Sequence, residues 1–471
     1  MDSSLSMGAA QLIAAFRRRA LSPVEVMSTV LDQARQLNRQ VNCLCCIDEE
    51  GALAAARESE QRWMRSDPCG LLDGVPVSVK DLVAVRGVPT RYGSRTSSAG
   101  VEQEDAPAVR RLRHAGALLF GKTTTSEYGN KIVTDSPLTG ITRNPWSTHV
   151  SSGGSSGGSA VAVALGMGPL SLATDGGGSI RVPACWSGVV GFKPSFGMVP
   201  TGTEGSWTSL STLGPIARTV SDAALMLTVM TRLQHTHDPL MSSSRDWRVG
   251  FDDGVAGLRV AYCAAPAGVQ VESAIGDCVR QGVAVIEALG AHVEEAEIAP
   301  LDAYLKSRMH SIQWSVFFAQ RIRRLDEHAQ AQLDPDVRAL AESGARETTF
   351  SLVDALQARH VLTVAMTEFF ERYDLLVTPT FHCGPPPVPG LPAELFGAPP
   401  LTSWCNQTGF PAVSVPCGLP GGMPTGLQII GPHGADARVL RAARAYESAR
   451  GPFPMPGRAC DRRIAEAGAQ P

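Results

Sequence analysis

The chain has 471 residues and is 44% hydrophobic, which suffices for one large α/β domain or two ordinary ones. Its formal net charge is −3 and it contains no block of basic residues, which argues against a nucleic-acid-binding protein and against a membrane-surface protein. Composition therefore favours small-molecule partners.

The N-terminal segment lacks the order of a secretory signal. Its apolar cluster at 12–16 precedes the basic residues 17–19 instead of following them. No run in the chain approaches the roughly 18 apolar residues of a membrane span. We therefore expect a soluble, cytoplasmic protein.

The first part of the chain alternates predicted helices and strands. Ser22-Pro23 begins an amphipathic helix whose apolar residues recur at helical spacing to Leu37. The next predicted elements are a buried strand through Cys45, an Ala-rich helix near 52–65, a strand ending at Lys80, a helix at 107–114, a strand at 118–120 and a turn-rich loop at 131–150.

The alternation continues beyond residue 183. A strand is predicted at 188–194, a Gly/Ser/Thr-rich loop at 197–216, a helix at 220–233 and a linker-like stretch to Gly257. Later strands are predicted at 258–263, 291–298, 374–378, 412–416 and 425–431, with helices at 272–289, 352–373 and 435–448, an irregularly helical region at 301–345 and a Pro-rich loop at 379–400.

This alternation predicts the fold class. Strands separated by helices indicate an α/β fold with a large mixed β-sheet covered by α-helices on both faces. With no internal repeat and no clean break, we expect residues 1–471 to form a single domain. The core motifs would lie within 70–220, and a variable substrate-pocket region within 200–405.

The cysteine pattern argues against a metal site, and the scarcity of lysine draws attention to each lysine. Eleven cysteines are scattered without the paired Cys-x-x-Cys sets of a zinc site, which predicts buried free thiols and no metal. Only five lysines stand against 37 arginines. One of them, Lys80, ends the strand-like Val77-Ser78-Val79, where water should be scarce.

Two Gly/Ser loops bring several hydroxyls into one small volume. They are the run Ser-Ser-Gly-Gly-Ser-Ser-Gly-Gly-Ser at 151–159 and the run Thr-Asp-Gly-Gly-Gly-Ser-Ile-Arg-Val-Pro at 174–183, separated by a buried apolar spacer at 160–165 and a short predicted turn. A flexible linker is the ordinary interpretation of such composition, but linkers do not usually pass directly into a buried segment.

Two further interpretations fit the pattern poorly. A phosphate-binding loop would need glycine spacings that neither loop has. The run 153–157 formally fits the Gly-x-Ser-x-Gly of a nucleophile elbow, yet no buried strand precedes it and no late histidine has a distinctive setting.

A fourth interpretation combines both loops with Lys80. A serine attacks an amide carbonyl only when a base takes its proton, and a neutral lysine can be that base because burial disfavours its charged form. Lys80 is the candidate base.

At these motifs the sequence resembles the amidase signature family of serine hydrolases. The resemblance rests on Val79-Lys80-Asp81 and on the runs 153–159 and 174–183, and it extends through 188–194 and, more loosely, through 374–379 and 406–431. It implies the amidase signature fold, a mixed sheet between layers of helices.

The resemblance also implies the site. Ser179 would be the nucleophile, Ser155 a bridging serine at a cis peptide bond, and Lys80 the base of a Ser–cis-Ser–Lys triad. Four consecutive N–H groups would form the oxyanion hole, those of Gly176, Gly177, Gly178 and Ser179. The implied reaction is amide hydrolysis through a Ser179 acyl-enzyme, with no cofactor.

Neighbouring residues receive structural roles. Asp81, Asp175 and Arg181 are expected to hold the loops by hydrogen bonds, and Lys193 to be structural. The remaining serines are expected to be loop and helix-cap hydroxyls, namely Ser151, Ser152, Ser156 and Ser159.

Aromatic residues in the irregular regions suggest the substrate. We expect some of them to line an apolar acyl or aryl pocket, with Trp207, Trp314, Phe381 and Trp404 as candidates. Aryl or aliphatic amides are the favoured substrates, followed by carbamates and esters.

A different functional assignment stays open. The A subunit of the glutamyl-tRNA amidotransferase belongs to the same family, hydrolyses glutamine and passes ammonia to a partner. Residues 121–128 depart from that subunit's usual Asn-Met-Asp-Glu-Phe, which favours a free-standing amidase. A non-catalytic scaffold is disfavoured because all three triad positions are filled. The sequence leaves open whether the protein is a homodimer.

Overall fold

An 11-stranded sheet runs through the computed structural model, which describes residues 3–201, 209–232, 245–390, 392, 395 and 401–457. The described strands are β1 (Leu44–Ile47), β2 (Pro76–Lys80), β3 (Leu118–Thr123), β4 (Asp135–Ser136), β5 (Gly140–Ile141), β6 (Leu170–Asp175), β7 (Val190–Lys193), β8 (Thr212–Ala217), β9 (Arg259–Tyr262), β10 (His292–Glu295), β11 (Leu375–Pro379), β12 (Ala412–Gly418) and β13 (Thr425–Ile430).

The large sheet is mixed, as predicted. Its spatial order is β1-β3-β2-β6-β8-β7-β12-β13-β11-β9-β10, while β4 and β5 form a separate two-stranded ribbon. Strand β2 runs parallel to β3 and β6, and β9 runs parallel to β10 and β11. The other neighbours pair antiparallel.

Fifteen α-helices accompany the strands in the described part of the chain. They are α1 (Ala9–Arg17), α2 (Pro23–Val41), α3 (Glu49–Met64), α4 (Pro107–His114), α5 (Gly157–Ala164), α6 (Arg181–Ser187), α7 (Val220–Met230), α8 (Ser273–Ala288), α9 (Ala299–Lys306), α10 (Met309–Ile322), α11 (Glu327–Ala331), α12 (Pro335–Ala345), α13 (Thr349–Arg372), α14 (Trp404–Thr408) and α15 (Asp436–Arg450). None of the helices described has both the length and the apolar character needed to cross a membrane.

Helices cover both faces of the sheet because strand side chains alternate in direction. Leu375 and Val377 of β11 pack in a core with α4, α7, α8 and α15, whereas Leu376 between them packs with α9, α10 and α13. Leu118 and Phe120 of β3 contact a further cluster built from α2, α3 and α5. The predicted covering of both faces is confirmed.

Three sequence-based predictions are wrong. Strand β6 occupies the stretch where a turn was predicted between the two Gly/Ser loops, and β8 lies mostly inside the region predicted as a loop. Both strands are buried along their whole length, so they lack the alternation that marks a half-exposed strand. The predicted linker fails over 245–257, because Trp247, Phe251 and Val255 belong to the core.

The predicted site lies at the carboxyl ends of two central strands. Strands β2 and β6 are parallel neighbours, so their last residues, Lys80 and Asp175, lie at the same edge. Val77 and Val79 join one core, and therefore Lys80 lies on the opposite face of β2. Helix α5 packs against β2 and begins directly after Ser155 and Ser156.

Close packing of α5 gives a stability prediction. A Cβ at Gly158 would lie 2.5 Å from Cys43 O and 2.5 Å from Thr124 N, so Gly158→Ala should lower the free energy of unfolding by about 1–3 kcal/mol. Gly276, in α8, has nothing within 4 Å of its added Cβ. Gly276→Ala should raise stability by roughly 0.5–1 kcal/mol. Denaturant unfolding of both variants checks the difference, and equal effects would contradict it.

Candidate active site

Lys80 is buried among hydroxyl groups. Its side chain is 0% exposed, and its Nζ lies 2.8 Å from Ser155 Oγ, 2.7 Å from Ser156 Oγ and 2.8 Å from Thr174 Oγ1. Burial lowers the pKa of Lys80 well below its usual value, and the more distant charge of Asp175 opposes this without cancelling it. No carboxylate of the described residues forms an ion pair with Lys80. The amine is therefore poised to be neutral.

The hydrogen-bond inventory around Lys80 fits both protonation states. Ser156 Oγ donates its one hydrogen to Thr174 O at 3.1 Å, so it accepts from Lys80. A neutral amine has a second N–H for Thr174 Oγ1 and a lone pair that can accept from Ser155 Oγ–H. A charged amine can donate to all three oxygens. Lys80 is thus satisfied before and after it takes up a proton.

Ser155 lies in a tightly packed loop. The peptide bond between Gly154 and Ser155 is cis, as the family resemblance implied. A Cβ at Gly154 would lie 2.5 Å from Val133 C, and one at Gly129 would lie 3.2 Å from Ser155 Oγ. Glycine at these two positions lets neighbouring backbone enclose Ser155, which is 1% exposed.

Ser179 differs from Lys80 and Ser155 in exposure. It is half-buried, whereas the other two predicted triad residues are fully enclosed. Its backbone carbonyl accepts from Ser156 N at 3.2 Å, which joins the two loops. Within the described residues its hydroxyl has no hydrogen-bond partner. Ser179 is accordingly the one of the three predicted triad residues with appreciable exposure.

The predicted oxyanion hole needs one correction. The N–H of Gly178 already donates to Asp175 Oδ1 at 2.7 Å, so it is not available to a substrate oxygen. The N–H groups of Gly176, Gly177 and Ser179 have no acceptor in the described part of the chain. These three remain the candidate donors.

A buried ion pair fixes the loop that carries Ser179. Asp175 and Arg181 are both fully buried, and Arg181 donates to the two Asp175 oxygens at 2.8 and 2.9 Å. Desolvation favours the neutral acid, but the charge and hydrogen bonds of Arg181 outweigh it and hold the pKa of Asp175 at about 2. The expectation that these residues hold the loop is confirmed.

Distant residues complete this clamp. Arg181 also donates to Thr402 O, Asn406 Oδ1 and Gln428 Oε1, all within 2.9 Å. Asn406 in turn donates to Asp175 O at 2.8 Å. No local pattern pointed to Thr402, although 406–431 was part of the loose family resemblance.

Two partners of Lys80 were missed from sequence. Ser156 stands at the N-cap position of α5, yet its hydroxyl makes no cap hydrogen bond and contacts Lys80 instead. The expected helix-cap hydrogen bond is absent at this residue, whose hydroxyl instead connects Thr174 O with Lys80 Nζ. Thr174 immediately precedes Asp175 in the second motif, which was the available signal for its role.

Two other buried charges have structural contacts. Asp81 forms an ion pair with Lys122 at 3.2 Å and accepts from Arg91 N. Lys193 donates to Pro194 O at 2.8 Å, and burial lowers the pKa of Lys193 to about 8. Both Asp81 and Lys193 thus have the structural contacts expected of them.

The predicted aromatic pocket is only partly assembled. Trp314, on α10, lies against the nucleophile loop, since a Cβ at Gly176 would be 3.2 Å from its indole ring. Phe381 is 1% exposed and packs edge-on against Trp186, and Trp404 is 0% exposed in the core. Phe381 and Trp404, predicted to line the pocket, are therefore core residues. Trp207 lies outside the described residues.

Side chains that commonly bind metals are dispersed. In the described ranges, His, Cys, Asp and Glu side chains form no cluster of three or more that could hold a metal ion. The cysteines of those ranges are free thiols, of which Cys43, Cys185, Cys263 and Cys405 are buried.

The family follows from sequence comparison. The model of the protein family described as Amidase matches residues 25–440. The chain belongs to this family.

Members of the family resemble the chain over nearly its whole length. The A subunit of glutamyl-tRNA(Gln) amidotransferase from Salinispora tropica is 35% identical, over 97% of this chain and 100% of the relative. The acylamidase of Rhodococcus erythropolis is 34% identical, over 94% of this chain and 95% of the relative. A bacterial aryl acylamidase, described as an amidase signature enzyme, superposes with a TM-score of 0.86 at 28% identity, covering 99% of each chain.

These likenesses establish the fold and the general activity. The protein has the amidase signature fold and is an amide-hydrolysing enzyme. Its relatives include both an acylamidase and amidotransferase A subunits, so they leave the substrate unassigned.

The buried amine predicts a pH dependence of activity. Only neutral Lys80 can accept a proton, so the acylation rate should rise with pH through the lowered pKa of Lys80 and then level off. Lys80→Met should remove this limb and lower the rate by about 10²–10⁴-fold. Stopped-flow acylation of wild type, Lys80→Met and the exposed control Lys306→Met checks this. A limb that survives in Lys80→Met would refute the role of Lys80.

The Asp175–Arg181 pair predicts an acid-dependent loss of stability. Because the pKa of Asp175 is about 2 when folded, against about 3.8 when unfolded, its ionisation stabilises the fold above pH 4. This contribution, about 2 kcal/mol, should be lost as the pH falls from 4 to 2. Asp175→Asn should be destabilised by about 3–5 kcal/mol at pH 7, and this deficit should shrink below pH 4. Urea unfolding at several pH values measures the difference, and a constant deficit would argue against the pair.

Proposed function

We propose that the protein hydrolyses small carboxylic amides through an acyl-enzyme on Ser179, with Ser155 as relay and Lys80 as base. The observation that carries the proposal is the setting of Lys80, a fully buried amine that contacts Ser155 Oγ at 2.8 Å and has no carboxylate partner among the described residues. Such an amine is a base and not a structural cation.

The first step forms the acyl-enzyme. Ser179 Oγ attacks the amide carbonyl as its proton passes to Ser155 Oγ, while Ser155 gives its own proton to the lone pair of Lys80. The N–H groups of Gly176, Gly177 and Ser179 stabilise the oxyanion that develops on the carbonyl oxygen. The same relay in reverse protonates the departing nitrogen, which leaves as an amine and not as an anion.

The second step releases the acid. Water replaces the amine, loses a proton to the relay and attacks the ester of Ser179, which regenerates the free serine. Lys80 can both accept and return a proton because its three hydroxyl neighbours satisfy the hydrogen bonds of its neutral and of its charged form. The reaction needs no cofactor.

The surroundings of Ser179 support an aryl or aliphatic amide as substrate. Trp314 lies against Gly176 and stands in an aromatic group with His310 and Phe318. The charged neighbours of the loop, Asp175 and Arg181, are paired with each other. A zwitterionic substrate such as free glutamine would require charged partners, whereas the half-buried side chain beside Gly176 is the indole of Trp314. Carbamates and esters present the same carbonyl to the same serine.

The alternative function is that of an amidotransferase A subunit. It is favoured by the 35% identity to the Salinispora tropica protein over 97% of this chain. In that case glutamine would be the substrate and a partner protein would receive the ammonia. Ammonia release from glutamine only in the presence of a second protein would establish this alternative.

A labelling experiment tests the nucleophile and a substrate panel tests the class. A fluorophosphonate should label wild type at Ser179 and should not label Ser179→Ala, while Ser151→Ala serves as a matched loop control. Wild type should cleave anilides, with primary amides, esters and carbamates assayed beside them, and Ser179→Ala should lose at least about 10³-fold in rate. Labelling that persists in Ser179→Ala would move the nucleophile elsewhere.

A further inference from the structure

His310 is a buried histidine that the reaction steps above do not use. It lies on α10 and is 6% exposed. Its ring stacks on Trp314 with a centroid distance of 5.3 Å and an interplanar angle of 26°. Trp314 in turn lies 3.2 Å from the position of a Cβ at Gly176, in the nucleophile loop. His310 and the loop of Ser179 therefore flank the same indole ring.

A chain of hydrogen bonds fixes the tautomer of this histidine. Gln313 Nε2 donates to Met309 O at 3.0 Å, and a backbone carbonyl can only accept, so the orientation of the Gln313 amide is defined. Its second hydrogen goes to Gln407 Oε1 at 3.0 Å, which turns Gln407 Nε2 toward His310 Nδ1 at 3.2 Å. Nδ1 must accept this bond, and the ring proton is therefore on Nε2.

The Nε2–H group is left over for a ligand. Within the described residues it has no hydrogen-bond partner, and it is not one of the enclosed unpartnered atoms. A second proton on Nδ1 would face the donor amide of Gln407, so the network opposes the charged ring. Burial acts in the same direction and lowers the pKa of His310 to about 4. His310 is a neutral donor.

We propose that His310 and Trp314 form a substrate subsite that takes an aromatic ring bearing a neutral hydrogen-bond acceptor. Trp314 supplies apolar surface at the edge of its indole nearest Gly176, and His310 Nε2–H donates to a carbonyl or ether oxygen on the ring. A carboxylate is disfavoured at this point, because a neutral imidazole does not compensate a buried charge. This subsite rests on the proposed function, in that the ring belongs to an amide cleaved at Ser179.

Matched ligands separate the hydrogen bond from the rest of binding. One pair carries para-acetyl or para-ethyl on the aniline ring, and a second pair carries the same groups on the benzoyl ring, so that both sides of the scissile bond are sampled. Binding is measured by calorimetry to Ser179→Ala, which holds substrate without turnover. The same background then receives His310→Phe, which retains an aromatic ring and lacks the donor, and His310→Gln, which retains a donor.

The acetyl ligand of one pair should bind about five- to tenfold more tightly than its ethyl partner. This preference should be lost in His310→Phe and partly restored in His310→Gln, while His360→Gln, an exposed position on α13, should leave it unchanged. In the active enzyme the same comparison uses kcat/KM ratios between variants, in which intrinsic substrate reactivity cancels.

The outcomes distinguish this subsite from the proposed function. If wild type neither cleaves these amides nor is labelled at Ser179, the proposed function fails, and the binding comparison still reports on His310. Two results would refute the subsite if wild type cleaves these amides. In one, His310→Phe retains the acetyl preference in both pairs; in the other, it lowers the affinity for both ligands of each pair by the same factor. Nitrogen NMR of the His310 ring at neutral pH should show the Nε2–H tautomer, and an Nδ1–H tautomer would also refute it.

Discussion

The burial of one lysine without a counter-ion is the constraint on which the site depends. A buried ammonium is usually paired with a carboxylate, and the structure instead surrounds Lys80 with the hydroxyls of Ser155, Ser156 and Thr174. Hydroxyl groups can both donate and accept, so they tolerate either protonation state. The fold must therefore supply enough rigidity to hold an amine in a place that does not favour its ordinary form.

A separate buried ion pair, Asp175–Arg181, holds the adjacent loop that carries Ser179. Asp175 and Arg181 neutralise each other and draw in Thr402, Asn406 and Gln428 from the C-terminal part of the chain. Asp175 also takes the N–H of Gly178, which shapes the loop while leaving the neighbouring N–H groups directed elsewhere. One carboxylate thus serves as a structural anchor, and Lys80 remains uncompensated nearby. The Asp175–Arg181 pair must stay charged to hold the loop, whereas Lys80 must be neutral to act as the proposed base.

Much of the fold could be predicted because its signals are local. Helical periodicity identified α2 and α13, and the alternation of elements indicated a mixed sheet with helices on both faces. Strands β6 and β8 escaped detection because they are buried on both faces and β8 contains Gly214 and Pro215. Phe381 and Trp404 were assigned to a pocket because composition cannot tell an aromatic residue in the core from one on a cleft.

The sequence by itself determined which groups are the candidates for reaction, since Lys80, Ser155 and Ser179 lie in motifs whose residue types and order are specific. Tertiary structure decided the pKa values and the hydrogen-bond partners of those groups and of the residues around them. The pKa of Lys80, the engagement of Gly178, the contact of Ser156 with the amine and the tautomer of His310 all depend on residues far apart in the chain. Desolvation and hydrogen-bond direction depend on all the residues that surround a buried group. A sequence motif does not show which distant residues these are.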